Sequence, residues 1–244
     1  MLDRFYVPEG IDQSETELPA EEAHHALHVL RKGPGDQLSL FDGRGRVATG
    51  RIAKAGRKSV RVAIEELSAP EPPPAREIVL AVALPKGERT RWLVEKATEI
   101  GVSRLIPLRT ERSVVDPRPS RLARLRQTVI AACKQSGRNR LMEIEDPIAF
   151  PEWLNENSTS AAQLVCDRSG LPINSRVPRI SSFDHSRAPQ EVHVSIGPEG
   201  GFSPYELQAA RSLGATVVRL GDAILRVETA AIVAAGYVMH VLDE

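Results

Sequence analysis

Two cysteines in 244 residues, Cys133 and Cys166, are too few and too far apart for a disulfide framework or a zinc site. Both read as buried thiols, and a reducing, cytoplasmic compartment is expected. No run of ~18 apolar residues occurs, so no membrane-spanning helix is predicted. The opening MLDRFYVPEG lacks the basic-then-apolar order of a secretory leader. Internal repeats are absent. Neither Gly-x-Gly-x-x-Gly nor a phosphate loop ending in Lys-Ser/Thr is present, which makes a nicotinamide-linked enzyme the least favoured class. No Ser-His-Asp spacing, paired-carboxylate context or reactive-cysteine signature emerges. His24, His25 and His28 cluster, and the first and last share a helix face, but no third zinc-type ligand follows. Helix capping or RNA contact is the preferred reading, and no metal is expected.

Net charge is missing too: 32 Lys and Arg face 32 Asp and Glu. That balance conceals an asymmetry. Residues 104–140 carry ten basic side chains (Arg104, Arg109, Arg112, Arg118, Arg121, Arg124, Arg126, Lys134, Arg138 and Arg140) against Glu111 and Asp116. Arginine dominates, and its planar fork suits phosphate better than a point charge does. Few acids lie nearby in sequence to pair with it. The stripe is therefore expected to meet a polyanion, with nucleic acid first.

What is present falls into two styles of chain. The stretch 68–75 holds Pro70, Pro72, Pro73 and Pro74, which cannot pack as helix or central strand and reads as a stiff linker. Before it, a helix over 21–31 precedes short alternating strands at 37–41, 46–52 and 59–64, punctuated by Asp42-Gly43. This predicts a small β-rich barrel or sheet over residues 1–70. Beyond a linker at 71–75, strands alternate with helices through 76–244, the signature of a parallel α/β sheet. Strands are expected at 77–84, 103–108 and 164–166, and helices at 88–100, 121–135, 204–213 and 227–242. The polar, proline-punctuated stretch 169–190 reads as a long loop or insertion.

Two glycine-marked elbows near the end are the strongest site signal. VHVSIGPEGGFSPYEL (192–207) and VVRLGDAILRVETAAIVAAGYVM (217–239) each run a β-branched strand into glycine and then a helix. Such turns place backbone N–H and C=O groups at the carboxyl ends of strands, where α/β proteins bind ligands. Gly197, Gly200 and Gly201 would let backbone approach a flat ligand closely, although a tight turn alone also explains them. Arg226 and Glu228 sit at a helix start, where free N–H groups favour anions. A capped core helix is the alternative there. Lys86, in LPKG, sits at a strand's carboxyl end facing the same side. Glu95, Lys96 and Glu99 read as a solvated helix face.

Taken in order, LPKGERTRWLVEKATEIGV (84–102), PLRTERSVV (107–115), AACKQSGRNR (131–140), IGPEGGFSPYEL (196–207) and LGDAILRVETAA (220–231) resemble the RsmE family. RFYV (4–7) and HHALHVLRKGPGDQLSLFDGRG (24–45) are similar to that family's N-terminal PUA-like RNA-binding domain. Residues 169–190 match nothing in it. The resemblance implies a SPOUT methyltransferase with a trefoil knot, working as a homodimer without metal. Its reaction would be S-adenosylmethionine-dependent methylation of uridine N3 in small-subunit (16S) ribosomal RNA, near the decoding site. It implies that Ile196, Gly197, Pro198, Glu199, Gly200, Gly201, Leu220, Gly221, Ile224 and Leu225 line the cofactor, and that Arg226 and Glu228 are catalytic. Candidate RNA contacts are Arg4, Arg31, Lys86, Arg112, Lys134, Gln135, Arg138 and Arg140. Two other readings stay open: a SPOUT enzyme with another RNA target, ribose 2′-O or another base, and a non-catalytic RNA-binding or ribosome-assembly factor.

Overall fold

The computed structural model describes residues 2–74, 76–115, 117–156, 162–173 and 190–243. The chain divides into two compact units, Met1–Pro73 with Ile130–Leu141, and Pro74–Val129 with Met142–Glu244. Residues 130–141 thus group with the N-terminal part, a partition that a linear division at the proline-rich stretch does not contain.

In the first unit, β1 (Arg4–Tyr6), β2 (Glu15–Glu17), β3 (Gln37–Phe41), β4 (Val47–Ala55) and β5 (Val60–Leu67) form one sheet in the order β1-β3-β4-β5-β2. β1 runs parallel to β3, and the other pairings are antiparallel. Asp42 closes the β3–β4 turn by accepting hydrogen bonds at Oδ1 from the Arg44 and Arg46 N–H groups, 2.7 and 3.0 Å. Alternation then turns Leu38, Leu40, Ile52, Val60 and Val62 inward, where they meet Phe5, Ala23 and Ala26. The expected helix starts as α1 (Ala20–His24) but continues as a π-helical turn, His25–Val29. It stops two residues short of the predicted end. Arg31 lies beyond it in the left-handed region, φ 55°.

The second unit is a parallel sheet in the order β12-β10-β11-β6-β7-β8, with β9 also pairing to β7. Its chain runs β6 (Arg76–Val82), α2 (Glu88–Glu99), β7 (Arg104–Arg109), α3 (Pro119–Ser136), β8 (Glu143–Ile144), β9 (Ile148–Ala149) and α4 (Phe150–Glu156). Then follow β10 (Ala162–Pro172), β11 (Gln190–Ile196), α5 (Pro204–Ser212), β12 (Thr216–Arg219) and α6 (Val227–Asp243), the last residues of α3 belonging to the first unit. β6 is buried without alternation from Ile78 to Val82, as expected of a strand covered on both faces. Val79, Ile106, Val165 and Val217 pack with Trp153, and Phe150 stacks on Phe202 at 4.4 Å between centroids. Among the described residues, no helix is long and apolar enough to cross a membrane.

One expectation needs correction. Ser169–Pro172 is strand rather than loop, because β10 runs on past Cys166 through a bulge. Gly170 makes that possible: a Cβ there would sit 2.6 Å from the Val218 backbone. Gln190 is likewise the first residue of β11. The remainder of the stretch, 174–189, lies outside the described residues.

Candidate functional site

The first elbow is built from β11 into α5. After Ile196 the chain turns through Gly197-Pro198-Glu199-Gly200-Gly201, closed by Gly201 N–H donating to Pro198 O at 2.8 Å. Gly201 holds φ at 68°, which L side chains avoid. Ser203 then caps α5 in a reciprocal box: Oγ accepts from Glu206 N, and Glu206 Oε2 accepts from Ser203 N at 2.8 Å. Two neighbouring residues brace this turn. Glu206 Oε1 accepts from Glu111 N–H at 2.9 Å, and Arg112 Nη1 donates to Gly200 O at 2.7 Å.

The second elbow leaves β12 at Arg219 and enters α6 at Val227, with the Arg226 carbonyl accepting the first helical bond from Ala230 at 2.8 Å. The two elbows wall a single cavity of about 850 Å³. All ten residues assigned to the cofactor, 196–201 with Leu220, Gly221, Ile224 and Leu225, line it, and so does Arg226. The glycines divide by purpose. At Gly197 a Cβ would come within 3.1 Å of the Phe202 ring, so its smallness serves packing. At Gly200 the nearest group is the Arg112 stem, at 3.3 Å, and at Gly221 nothing lies within 4 Å.

Sequence reasoning missed part of the wall. The β10 bulge adds Cys166, Asp167, Arg168 and Ser169, and α5 adds Arg211, which donates to Ser169 Oγ at 3.3 Å. Burial, then the charge of Asp167, pushes the Cys166 thiol up to about 12, so it stays protonated and unreactive at neutral pH.

Arg89 was missed as well. From the first turn of α2 its Nη2 donates to Glu199 Oε1 at 2.9 Å, and its Nη1 lies 3.7 Å from Glu228 Oε2. Glu228 is only 7% exposed, and Oε2 has no hydrogen-bond partner among the described residues. The 3.7 Å approach is an ion pair too long to be a hydrogen bond. Arg226 is exposed at the cavity. LPKGERTR holds both residues, and of the two Lys86, the expected site residue, is exposed and does not line the cavity.

The basic stripe is largely consumed within the protein. Arg104 pairs with Glu145 at 2.8 Å and Glu191 at 2.6 Å, and Lys134 with Glu22 at 2.8 Å. Arg109, Arg121, Arg126 and Arg140 donate to the carbonyls of Pro147, Pro85, Ile144 and Glu71. Burial pushes the Arg138 guanidinium below its ordinary range, with the charges of Cys133 and Glu71 opposing it. Arg4 donates to Gly137 O, Arg138 O and Asn139 Oδ1 at 3.0, 3.2 and 2.7 Å, and lies over the Phe41 ring. Backbone carbonyls take most of these side chains, and acids distant in sequence pair with Arg104 and Lys134. Within the stripe, and among the described residues, Arg118 and Arg124 are the side chains with neither a hydrogen bond nor an ion pair. Arg31 and Gln135 are exposed. The His24 and His28 rings lie 4.7 Å apart, and both residues are exposed.

Comparison with known proteins joins this geometry to a family. An RNA methyltransferase domain model matches residues 71–239, and an RNA methyltransferase PUA domain model matches residues 18–65. Ribosomal RNA small subunit methyltransferase E of Mycobacterium bovis is 36% identical over 227 residues, covering 89% of this chain and 83% of the relative. Its Bacillus subtilis counterpart is 28% identical over 241 residues, covering 94% and 93%. The crystal structure of ribosomal RNA small subunit methyltransferase E from Neisseria gonorrhoeae, bound to S-adenosyl methionine, matches with TM-score 0.86 at 28% identity over 98% of both chains. A Legionella pneumophila protein solved with bound SAM matches with TM-score 0.86 at 30% identity, again over 98% of both. This chain belongs to the RNA methyltransferase family of ribosomal RNA small subunit methyltransferase E.

Proposed function

We propose that this protein methylates N3 of a uridine in small-subunit ribosomal RNA, near the decoding site, with S-adenosylmethionine as donor. The observation that carries the reading is the single cavity walled by both elbows, with Arg226 on its rim and buried Glu228 two residues further into α6. The residues fit the cofactor. About 850 Å³ lies in the ~300–1,000 Å³ range of small-molecule sites. Ile196, Leu220, Ile224 and Leu225 supply apolar wall for a flat base, and the open space beside Gly221 leaves backbone within reach of a ligand. When bound, S-adenosylmethionine supplies a methyl group already activated on a sulfonium.

A uridine N3 is a poor nucleophile until its proton leaves. We assign the proton to Glu228, which is buried next to the cavity-lining Val227 and is not itself part of the lining. The electron pair left on N3 then forms the new N–C bond as the methyl–sulfur bond breaks and its electrons leave with S-adenosylhomocysteine. Arg226 offers a guanidinium to the charge that spreads onto O2 and O4 as the proton departs. Because N3 lies on the pairing edge, the target must be unpaired or flipped from its stack. The same reading includes the trefoil knot and a second subunit. Support for the dimer comes from Trp92 on α2, Val233 on α6 and Ile224, whose apolar side chains are 43, 44 and 74% exposed.

Arg226→Ala is the direct test. It is expected to lower methyl transfer to small-subunit particles by about 10²-fold or more, the scale of one lost charge-stabilising donor, with cofactor affinity by calorimetry nearly intact. Near-wild-type turnover would overturn the role of Arg226. Nucleoside mass spectrometry showing a methylated ribose or another base would overturn the uridine reading.

A further inference from the structure

We propose that Arg89 is the positioning residue of this site: a forked clamp that joins the two elbows and sets the carboxylate of Glu228. The inference rests on the reading of Glu228 as proton acceptor. Its carrying observation is the division of one guanidinium between two acids on different turns. Nη2 donates to Glu199, which lines the cavity from the first elbow, at 2.9 Å. Nη1 stands 3.7 Å from Oε2 of Glu228, at the start of α6 beyond the second elbow.

The state of Glu228 makes the arrangement informative. Oε2 is shut from solvent and makes no hydrogen bond among the described residues. Burying a carboxylate with no positive charge facing it is costly. Arg89 faces it here, and Glu228 lies in the first turn of α6, where the helix dipole favours a negative side chain. Arg89 approaches as a charge without closing a hydrogen bond. Its other arm is committed to Glu199, so it cannot swing fully onto Glu228. The carboxylate is held in place while Oε2 keeps its hydrogen-bonding capacity unspent.

Lysine could not reproduce this division, because one ammonium on a flexible stem lacks the planar fork that addresses two oxygens along fixed directions. The position is also suited to the task. Arg89 sits in the first turn of α2, next to the end of β6, on a regular element that is more precise than a loop.

The test is a double-mutant cycle of Arg89→Met and Glu228→Gln, with Arg89→Lys as conservative variant. It is read on single-turnover methylation of small-subunit particles at saturating S-adenosylmethionine, on cofactor affinity by calorimetry, and on urea unfolding. Arg89→Met is expected to lower the single-turnover rate by about 10²-fold, the cost of a misplaced reacting group, and to change cofactor affinity little. In the Glu228→Gln background the same substitution should cause almost no further loss of rate, and should destabilise the fold less than it does alone. Arg89→Lys should fall between wild type and Met. Equal losses in both backgrounds would overturn the proposal, as would a loss confined to cofactor affinity or a Lys variant no better than Met. Wild-type protein that forms N3-methyluridine beside an Arg89→Met variant of equal rate would overturn Arg89 alone. The unfolding arm of the cycle does not depend on which nucleoside is modified.

Discussion

At the scale of single residues, two ionisable groups, His193 and Cys166, make the stability of the fold depend on pH. His193 is buried, whereas Cys166, expected as a buried thiol like Cys133, is half-buried in the cavity wall. His193, on β11, is fully buried against Trp153, with its Nε2 2.7 Å from Glu191 Oε2. Burial holds its pKa below the ordinary 6.5, against the opposing hydrogen bond and charge of Glu191. As pH falls through 6.5 the unfolded chain takes up a proton that the folded one refuses, so stability drops by at most about 1.4 kcal/mol per pH unit. Cys166 acts at the other end. Its thiol, raised from 9.0 to about 12, keeps its proton while the unfolded thiol loses one, so stability falls as pH rises above 9. Urea midpoints measured from pH 5.5 to 10 should decline on both sides. His193→Gln should flatten the acid limb and Cys166→Ala the alkaline one. A midpoint independent of pH below 6.5 in the wild type would contradict the first assignment.

At the scale of elements, the arginines of residues 104–140 separate into anchors and free charges. Arg140 donates to Glu71 O, and Arg4 reaches the backbone of Gly137 and Arg138, so the segment after α3 is fastened into the first unit. Arg118 and Arg124, near the start of α3, are exposed and uncommitted. The two sets should respond oppositely to charge reversal. Arg118→Glu with Arg124→Glu is expected to weaken RNA binding and reduce the salt slope of log Kd by about 2, with the melting temperature unchanged. Arg140→Glu is expected to lower the melting temperature, because it strips a carbonyl of its donor and places an acid beside Glu71. A salt titration beside a thermal melt on each variant decides the matter. An unchanged slope for the first pair would show that this end of α3 lies away from RNA.

The same elements show what a sequence reveals. Both elbows were legible because a β-branched run ending in glycine and then a helix start is local chemistry, complete within about twenty residues. The residues assigned to the cofactor all came to one cavity for that reason. Arg89 was not legible as a site residue, because its partners Glu199 and Glu228 lie more than a hundred positions away. The fate of the basic stripe was hidden in the same way: Lys134 is paired by Glu22, 112 residues upstream. The extension of β10 was concealed by polarity. Asp167, Arg168 and Ser169 look like loop, and only the approach of Gly170 to the Val218 backbone explains why they continue a strand.

At the scale of the molecule, a small β-rich unit and a parallel α/β unit each match a model of their own, one a PUA domain and the other a methyltransferase domain. The division of labour this suggests is between holding RNA and reacting with it. The zero net charge of the whole chain is then informative. With little long-range attraction to draw the protein onto arbitrary RNA, selectivity falls to local contacts and to the shape of the cavity.

The strut at Glu111 and Arg112 has a consequence for that shape. Two consecutive residues hold the glycine turn and the cap that follows it, one at Gly200 O and the other at Glu206 in the first turn of α5. A glycine-rich loop left to itself would sample many conformations and lose that freedom on binding. Held in this way, the turn keeps its form before any ligand arrives, and little ordering entropy is left to oppose association. Amide hydrogen exchange across residues 200–206 should therefore be slow in cofactor-free protein and change little on adding S-adenosylmethionine, while Arg112→Ala should speed it. Large protection appearing only with cofactor would mean that the ligand, rather than the strut, makes the pocket rigid.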